Sequence, residues 1–214
     1  MKTATRLGIV SFLLLTAGAA QAQWSANLGW ASEYHFRGIF QHASSASGGI
    51  DFEQNGFYAG VWAADVGDGL EVDGYFGYGG EYEDFSYSVG FTGYYYPEDF
   101  DDTYQEINLG FGYNILSVDV AIGEYDNFTG PTLDYTFASA TLAHNGFYGT
   151  FGTFSQDADG DYLEIGYGTT LADFDVGIAL IASNDDLIGD TDFDGVPNDD
   201  QSLIFTIGKA FDLQ

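Results

Sequence analysis

The sequence predicts an all-β fold, an antiparallel up-and-down transmembrane β-barrel of about twelve strands, on three observations. The first is side-chain alternation: Phe85, Tyr87, Val89 and Phe91 share one face, and Ser86, Ser88, Gly90 and Thr92 take the other. A strand points successive side chains to opposite faces, so lipid outside and water inside require an apolar residue at every second position. The second is that tight turns and long acidic connections take turns along the chain, as expected when one end of a barrel faces the periplasm and the other the outside. The third is the closing segment Thr206-Ile207-Gly208-Lys209-Ala210-Phe211-Asp212-Leu213, which ends the chain as outer-membrane barrels end.

The chain opens with a basic start at Lys2 and Arg6, an apolar run from Leu7 to Leu15, and the small-residue site Ala20-Gln21-Ala22. That is a secretory signal peptide over 1–22, cut before Gln23; its apolar run is short for a spanning helix, and a retained anchor is the alternative. Residues 23–214 then form one barrel domain. No later stretch is continuously apolar over a spanning length, so the mature chain is either exported and soluble or a membrane barrel.

In the mature chain Arg37 and Lys209 face 33 acidic residues, a net charge near −31. Such a surface repels nucleic-acid phosphate and excludes that partner class. A chain this acidic with few apolar residues would be disordered, but this one is 45% hydrophobic and 18% aromatic, which supports folding. Its 30 glycines and three prolines favour strands and turns over helices, and with no cysteine it carries neither disulfides nor thiol chemistry.

In order, the strands are expected at 24–36, 47–54, 57–65, 70–79, 84–95, 104–113, 116–124, 132–142, 147–154, 161–171, 174–183 and 201–213. Tight turns fall at Asn55-Gly56, Gly80 to Glu83, Asn114-Ile115, His144-Asn145-Gly146 and Ala172-Asp173. Asn-Gly is the strongest of these signals, because both central residues of that turn tolerate positive φ. The longer connections are 37–46, 66–69, 96–103, 125–131, 155–160 and 184–200. Strands 57–65 and 174–183 alternate poorly. A soluble sandwich would also alternate, with one face on its core, but it has no reason to sort its loops by length.

Parity selects the residues that face the lumen. If Trp24, Leu28, Trp30, Tyr34 and Phe36 face lipid, Glu33, His35 and Arg37 point inward. The same rule turns Glu71, Asp73, Glu106, Asn108, Asp119, Asp134 and Glu164 inward. An acidic lumen concentrates cations and repels anions. Among so many carboxylates Arg37 pairs with one or two of them, either as a constriction charge or as a strut holding strand one to its neighbour. Lys209 shares parity with Phe211 and Leu213, and near the rim its ammonium can snorkel to the headgroups.

The early blocks carry a resemblance. Ser32-Glu33-Tyr34-His35-Phe36-Arg37-Gly38-Ile39-Phe40-Gln41 resembles the S-[DE]-Y-x-F-R-G-[IVL]-x-Q signature of the TorF family of proteobacterial porins. Gly56 to Asp65, Glu71 to Tyr78 and Tyr94-Tyr95-Tyr96-Pro97 resemble later blocks of that family. These blocks cover roughly the first third of the mature chain. The resemblance implies outer-membrane location and a pore, and assigns no substrate.

Asp190-Thr191-Asp192-Phe193-Asp194-Gly195 matches the front of a calcium loop, with oxygens at positions one, three and five and a glycine for the sharp turn. Asp190, Asp192 and Asp194, the Val196 carbonyl and Asn198 are the candidate ligands; Gln201 stands where a bidentate Glu is expected. A solvated acidic loop is the alternative. Asp157-Ala158-Asp159-Gly160-Asp161 is a poorer version, better read as a turn. No enzyme is expected: none of His35, His42 and His144 lies near a serine in a recognisable motif. No cofactor is required, calcium in 190–201 being the one ion considered.

The sequence therefore implies a porin-like channel for passive diffusion of small hydrophilic solutes, cation-preferring and monomeric or weakly associated. Lipid and lipopolysaccharide would surround it, with strand 206–213 offered to the barrel-assembly machinery. The rival is a non-conducting surface barrel whose acidic loops bind divalent cations, lipopolysaccharide or a partner.

Overall fold

The alternating segments fold as antiparallel strands in the computed structural model, which describes residues 22–188 and 201–213. The strands are β1 (Gln23–Phe36), β2 (Ile39–Gln54), β3 (Phe57–Asp65), β4 (Leu70–Tyr82), β5 (Phe85–Tyr95), β6 (Tyr104–Tyr113), β7 (Leu116–Tyr125), β8 (Leu133–His144), β9 (Phe147–Gln156), β10 (Gly160–Leu171), β11 (Phe174–Ser183) and β12 (Gln201–Leu213). A single helical turn, α1 (Asp185–Ile188), follows β11. Each strand pairs with its sequence neighbour, and β12 pairs with β1 to close the barrel. Closure leaves no sheet edge, which a chain rich in exposed strand-forming residues needs. The expected twelve-strand antiparallel barrel is thus the fold of the described residues.

Two-residue turns join the strands at one end. Asn55-Gly56 and Asn145-Gly146 have positive φ at both residues (53° and 85°; 51° and 86°), the geometry that suits the twist of a hairpin. Strands run from nine residues in β3 to 16 in β2, enough to cross a bilayer, for which roughly 9–11 tilted residues suffice. Large apolar side chains point outward all round: Trp30, Phe76, Phe91's partner strand residue Ile107, Phe151, Leu163 and Phe205 are among them, and Phe76 is 53% exposed. Among the described residues no helix is long and apolar enough to cross a membrane.

The interior follows a packing rule that composition alone hides. Tyrosine rings on the inner face lie over glycines of the adjacent strand. A Cβ on Gly60 would sit 2.6 Å from the ring of Tyr75, and one on Gly123 would sit 2.5 Å from that of Tyr135. Tyr148 lies over Gly166 in the same way, Tyr162 over Gly152, and Tyr58 over Gly77 and, one strand further on, Gly90. The inner glycines therefore make room for aromatic rings as well as for water.

The first connection departs from expectation. The long loop expected at 37–46 is a two-residue turn, Arg37-Gly38 (φ 52° and 89°), at the tip of an extended β1–β2 hairpin. β1 pairs with β12 only from Trp24↔Leu213 to Ala31↔Thr206, and β2 pairs with β3 only from Gln54↔Phe57 to Ser47↔Ala64. Beyond those points the hairpin leaves the wall. Serine side chains cover both points of departure: Ser32 Oγ accepts from the Phe205 amide at 2.9 Å, and Ser45 Oγ donates to the Asp65 carbonyl at 2.7 Å. The ladder is irregular between Tyr34 and His35, and Ser44 takes a left-handed φ of 62°, so the hairpin bends there.

The bent tip lies inside the barrel. Ser183 Oγ donates to the Gly38 carbonyl at 2.7 Å, and Gly38 packs so closely on Leu187 and Tyr162 that a Cβ would meet both at 2.8 Å. Ile39 packs on a buried apolar cluster that includes Phe137, Phe154, Tyr162, Ile181, Leu187 and Ile204. This cluster fills the β8–β12 side of the interior. The expected leader, apart from Ala22, and the expected calcium ligands Asp190, Asp192, Asp194, Val196 and Asn198 lie outside the described residues.

Candidate functional site

Arg37, delivered by the turn, reaches across the barrel to Glu106 on β6. Nη2 donates to Oε1 at 2.7 Å and Nη1 to Oε2 at 2.9 Å, a bidentate pair. Glu106 is 2% exposed, and removing such a carboxylate from water is costly unless its oxygens are satisfied. They are. Tyr94 and Asn108 donate to Oε1 at 2.7 Å each, and Tyr135 donates to Oε2 at 3.0 Å. Thr92 fixes the orientation of Asn108 by donating to its Oδ1 at 2.8 Å. The Arg37 guanidinium also lies against the rings of Phe36 (4.7 Å) and Phe137 (4.5 Å), so its flat faces are covered while its edge is hydrogen-bonded.

The same pairing of phenol with carboxylate recurs around the interior. Tyr34 and Tyr96 each donate to Glu71 at 2.8 Å, one to each oxygen. Tyr96 stands in the loop after β5, where burial and the Glu71 carboxylate push its hydroxyl above the ordinary tyrosine value, so it stays protonated and donating. Tyr75 donates to Asp51, which also accepts from Asn27 at 3.2 Å, and Tyr148 donates to Glu164. In the loop at the mouth, Asp101 accepts from Tyr125 at 2.8 Å and Tyr104 at 3.3 Å. Asp73 stands apart. It is 8% exposed, and its Oδ1 has no hydrogen-bond partner.

The structure brings most of the parity-selected residues together. Glu71, Asp73, Glu106 and Asn108 are buried on the inner face. Asp119 shares its face of β7 with Ala121, which is 2% exposed. His35 bonds Glu33 through Nε2 at 3.1 Å, while its Nδ1 is buried without a partner. Asp134 is a correction. It is exposed at the loop end, its amide donating to Asp157 at 2.9 Å, while Tyr135 and Phe137 occupy the inner face of β8. The parity rule assumed a polar interior, and on this side the interior is aromatic.

Tyr34 is the second correction. Expected on the lipid face, it is 6% exposed and turned toward Glu71, because β1 has already left the wall at that residue. Lys209 shares the outward face of β12, its ammonium 5.0 Å from the Phe174 ring centre. Sequence reasoning missed the tyrosine donors Tyr94, Tyr96 and Tyr135. For Tyr135 the available signal was a glycine opposite it on the next strand, Gly123; Tyr94 pairs with Asp73 and Tyr104, and Tyr96 lies beyond β5, so neither carried that signal.

Among the described residues, no group of three or more acidic or histidine side chains is placed to hold a metal ion. Over residues 16–211 the chain matches Gcw_chp, described as a bacterial protein of unknown function. The chain belongs to the Gcw_chp family. That membership supplies a description distinct from TorF, a name that rests on the residue blocks alone. No curated protein sequence matches the chain. Gcw_chp membership is accompanied by structural likeness at low identity. A structure from a study of the in-meso crystallization of membrane proteins aligns at TM-score 0.60 and 9% identity, covering 89% of this chain and 84% of that one. This likeness is one of fold, a closed antiparallel barrel. OccK1 (OpdK) of Pseudomonas aeruginosa aligns at TM-score 0.43 and 11% identity, over 80% of this chain and 57% of its own. OprD of the same organism aligns at 0.40 and 12%, over 92% and 66%.

Proposed function

We propose that the chain is an outer-membrane, porin-like channel for passive diffusion of small hydrophilic solutes, preferring cations, with the β1–β2 hairpin setting its constriction. The observation that carries this reading is the interior charge balance. Glu71, Asp73, Glu106, Asp119 and Glu164 line the inner face of the wall, and Arg37 is the one basic side chain turned toward them among the described residues. A lumen of that sign lowers the energy of a cation and raises that of an anion. The outward apolar belt supports burial in lipid, and outer-membrane placement follows from the barrel form, since closed barrels and helices are what a bilayer accepts.

The tight-turn end is then periplasmic, and the loops with their acidic residues face outside. We read the chain as a monomer surrounded by lipid and lipopolysaccharide, with strand 206–213 as the signal to the assembly machinery. Catalysis has no support in the interior, where Asp51, Glu71, Glu106 and Glu164 are each held by a tyrosine hydroxyl. Calcium binding by Asp190, Asp192 and Asp194 remains a separate proposal for the external loop.

Reversal potentials across a planar bilayer with a tenfold potassium chloride gradient test the reading. A cation-selective current supports it. A current without selectivity, or with anion selectivity, removes the cation preference, and no current from properly inserted protein removes the channel.

A further inference from the structure

We propose that the wall pocket holding the Arg37 guanidinium is a recognition site for solutes carrying a guanidinium or alkylammonium group, with Arg37 as its built-in competitor. The proposal deepens the channel reading and rests on it for the solute's route of entry. The pocket's charge, donors and one of its two aromatic faces belong to the wall: Glu106 on β6, Tyr94 on β5, Tyr135 and Phe137 on β8. Only Arg37 and Phe36 come with the hairpin. A carboxylate pre-aligned by neutral donors beside an aromatic face suits a flat or alkylated organic cation, whose weak hydration is surrendered at small cost.

A second observation points to a cation beyond Arg37. Three buried carboxylates, Glu71, Asp73 and Glu106, share one guanidinium, whose bidentate hydrogen bonds both go to Glu106. Asp73 lies two residues from Glu71 on the same face of β4 and opposite Tyr94, whose hydroxyl bonds Glu106. Its Oδ1 has no hydrogen-bond partner although the residue is more than nine-tenths buried. A buried acceptor without a donor is strongly disfavoured, and an ammonium or guanidinium brings the missing donors. No group of residues suited to a metal ion is present among the described residues, so the chemistry favours an organic cation.

A solute competing with Arg37 contends with a tethered rival, whose effective concentration is on the order of millimolar for a short link. Wild-type affinity should therefore be weak and rise about tenfold when Arg37 is removed. Calorimetry in detergent micelles reads this directly, with butylguanidinium as probe and neutral butylurea as control. Heat-modifiable gel mobility reports that each variant is a folded barrel. Arg37→Ala is expected to bind butylguanidinium at least tenfold more tightly than wild type, and Arg37→Ala with Asp73→Asn to lose that gain. Asp73→Asn alone converts the unpartnered buried carboxyl to an amide, leaves the hairpin anchor in place, and should abolish the weak wild-type binding.

Equal binding of butylurea overturns the site, as does Arg37→Ala without gain or Asp73→Asn without loss. If Arg37→Ala does not fold, the single Asp73→Asn comparison decides. A barrel that binds butylguanidinium but never conducts would retire the channel and keep the site. One that conducts without distinguishing the two probes would retire the site and keep the channel.

Discussion

The β3–β6 side of the interior and the β8–β12 side solve the same filling problem with opposite chemistry. On the first, carboxylates are enclosed and each except Asp73 is held by tyrosine hydroxyls. On the second, apart from the Tyr148–Glu164 pair, Phe137, Phe154, Tyr162, Ile181 and Ile204 pack as a small apolar core with Leu187 of α1. The hairpin tip bridges the two. Arg37 serves one side with its hydrogen-bonding edge and the other with its face against Phe137, while Ile39 joins the apolar core. The lesson is that an arginine, flat and donor-rimmed, can seat a plug between a polar and an apolar surface where a lysine would satisfy only one.

The largest expected effect breaks the bridge. Glu106→Ala leaves Arg37 buried without its partner and should cost about 3–5 kcal/mol in urea unfolding followed in micelles. Replacing both residues by leucine should restore most of that loss, because a buried ion pair contributes little net stability over apolar residues of similar size. No recovery in the double variant would mean that Glu106 matters for some reason other than the pair.

Next comes the apolar side alone. Phe137→Ala should destabilise by about 3–5 kcal/mol through the cavity left beside Phe154 and Tyr162, with the same unfolding measurement as its check. Gly60→Val sets a branched side chain against the Tyr75 ring and should cost roughly 1–3 kcal/mol, a strained-packing effect that Tyr75→Ala would relieve in part.

A hydroxyl comparison sharpens the contrast at smaller scale. Tyr96→Phe removes one of two donors to Glu71 and should cost about 1–2 kcal/mol. Tyr162→Phe removes a hydroxyl from the apolar side, for which no hydrogen bond is found among the described residues, and should stay within about 0.5 kcal/mol. Equal effects of the two substitutions would erase the distinction between the sides. Calcium is the smallest effect expected, a weak heat at millimolar concentration lost in Asp190→Ala with Asp194→Ala.

The wall was largely legible because lipid-facing strands must alternate. The expectation of 104–113 coincides with β6, and Asn55-Gly56 and Asn145-Gly146 mark their turns through backbone chemistry alone. The first part of β2 was not legible. Ala43-Ser44-Ser45-Ala46 has no apolar alternation, since that stretch has left the wall and needs no greasy face. Tyr34 and Asp134 failed for a related reason. Parity assigns sides only where a strand stays in the wall and the interior is polar; Tyr34 violates the first condition and Asp134 the second. The Arg37 pairing was legible as a need, one cation among many carboxylates, but the partner Glu106 lies 69 residues away and only the inward fold of the hairpin selects it.

Single-channel conductance of wild type against Arg37→Ala with Glu106→Ala tests most directly whether an anchored hairpin narrows a cation pathway. The wild type should give small cation-selective steps, and the double variant larger steps with the same sign of selectivity. Identical conductance in the two, or a silent bilayer despite folded and inserted protein, would contradict it.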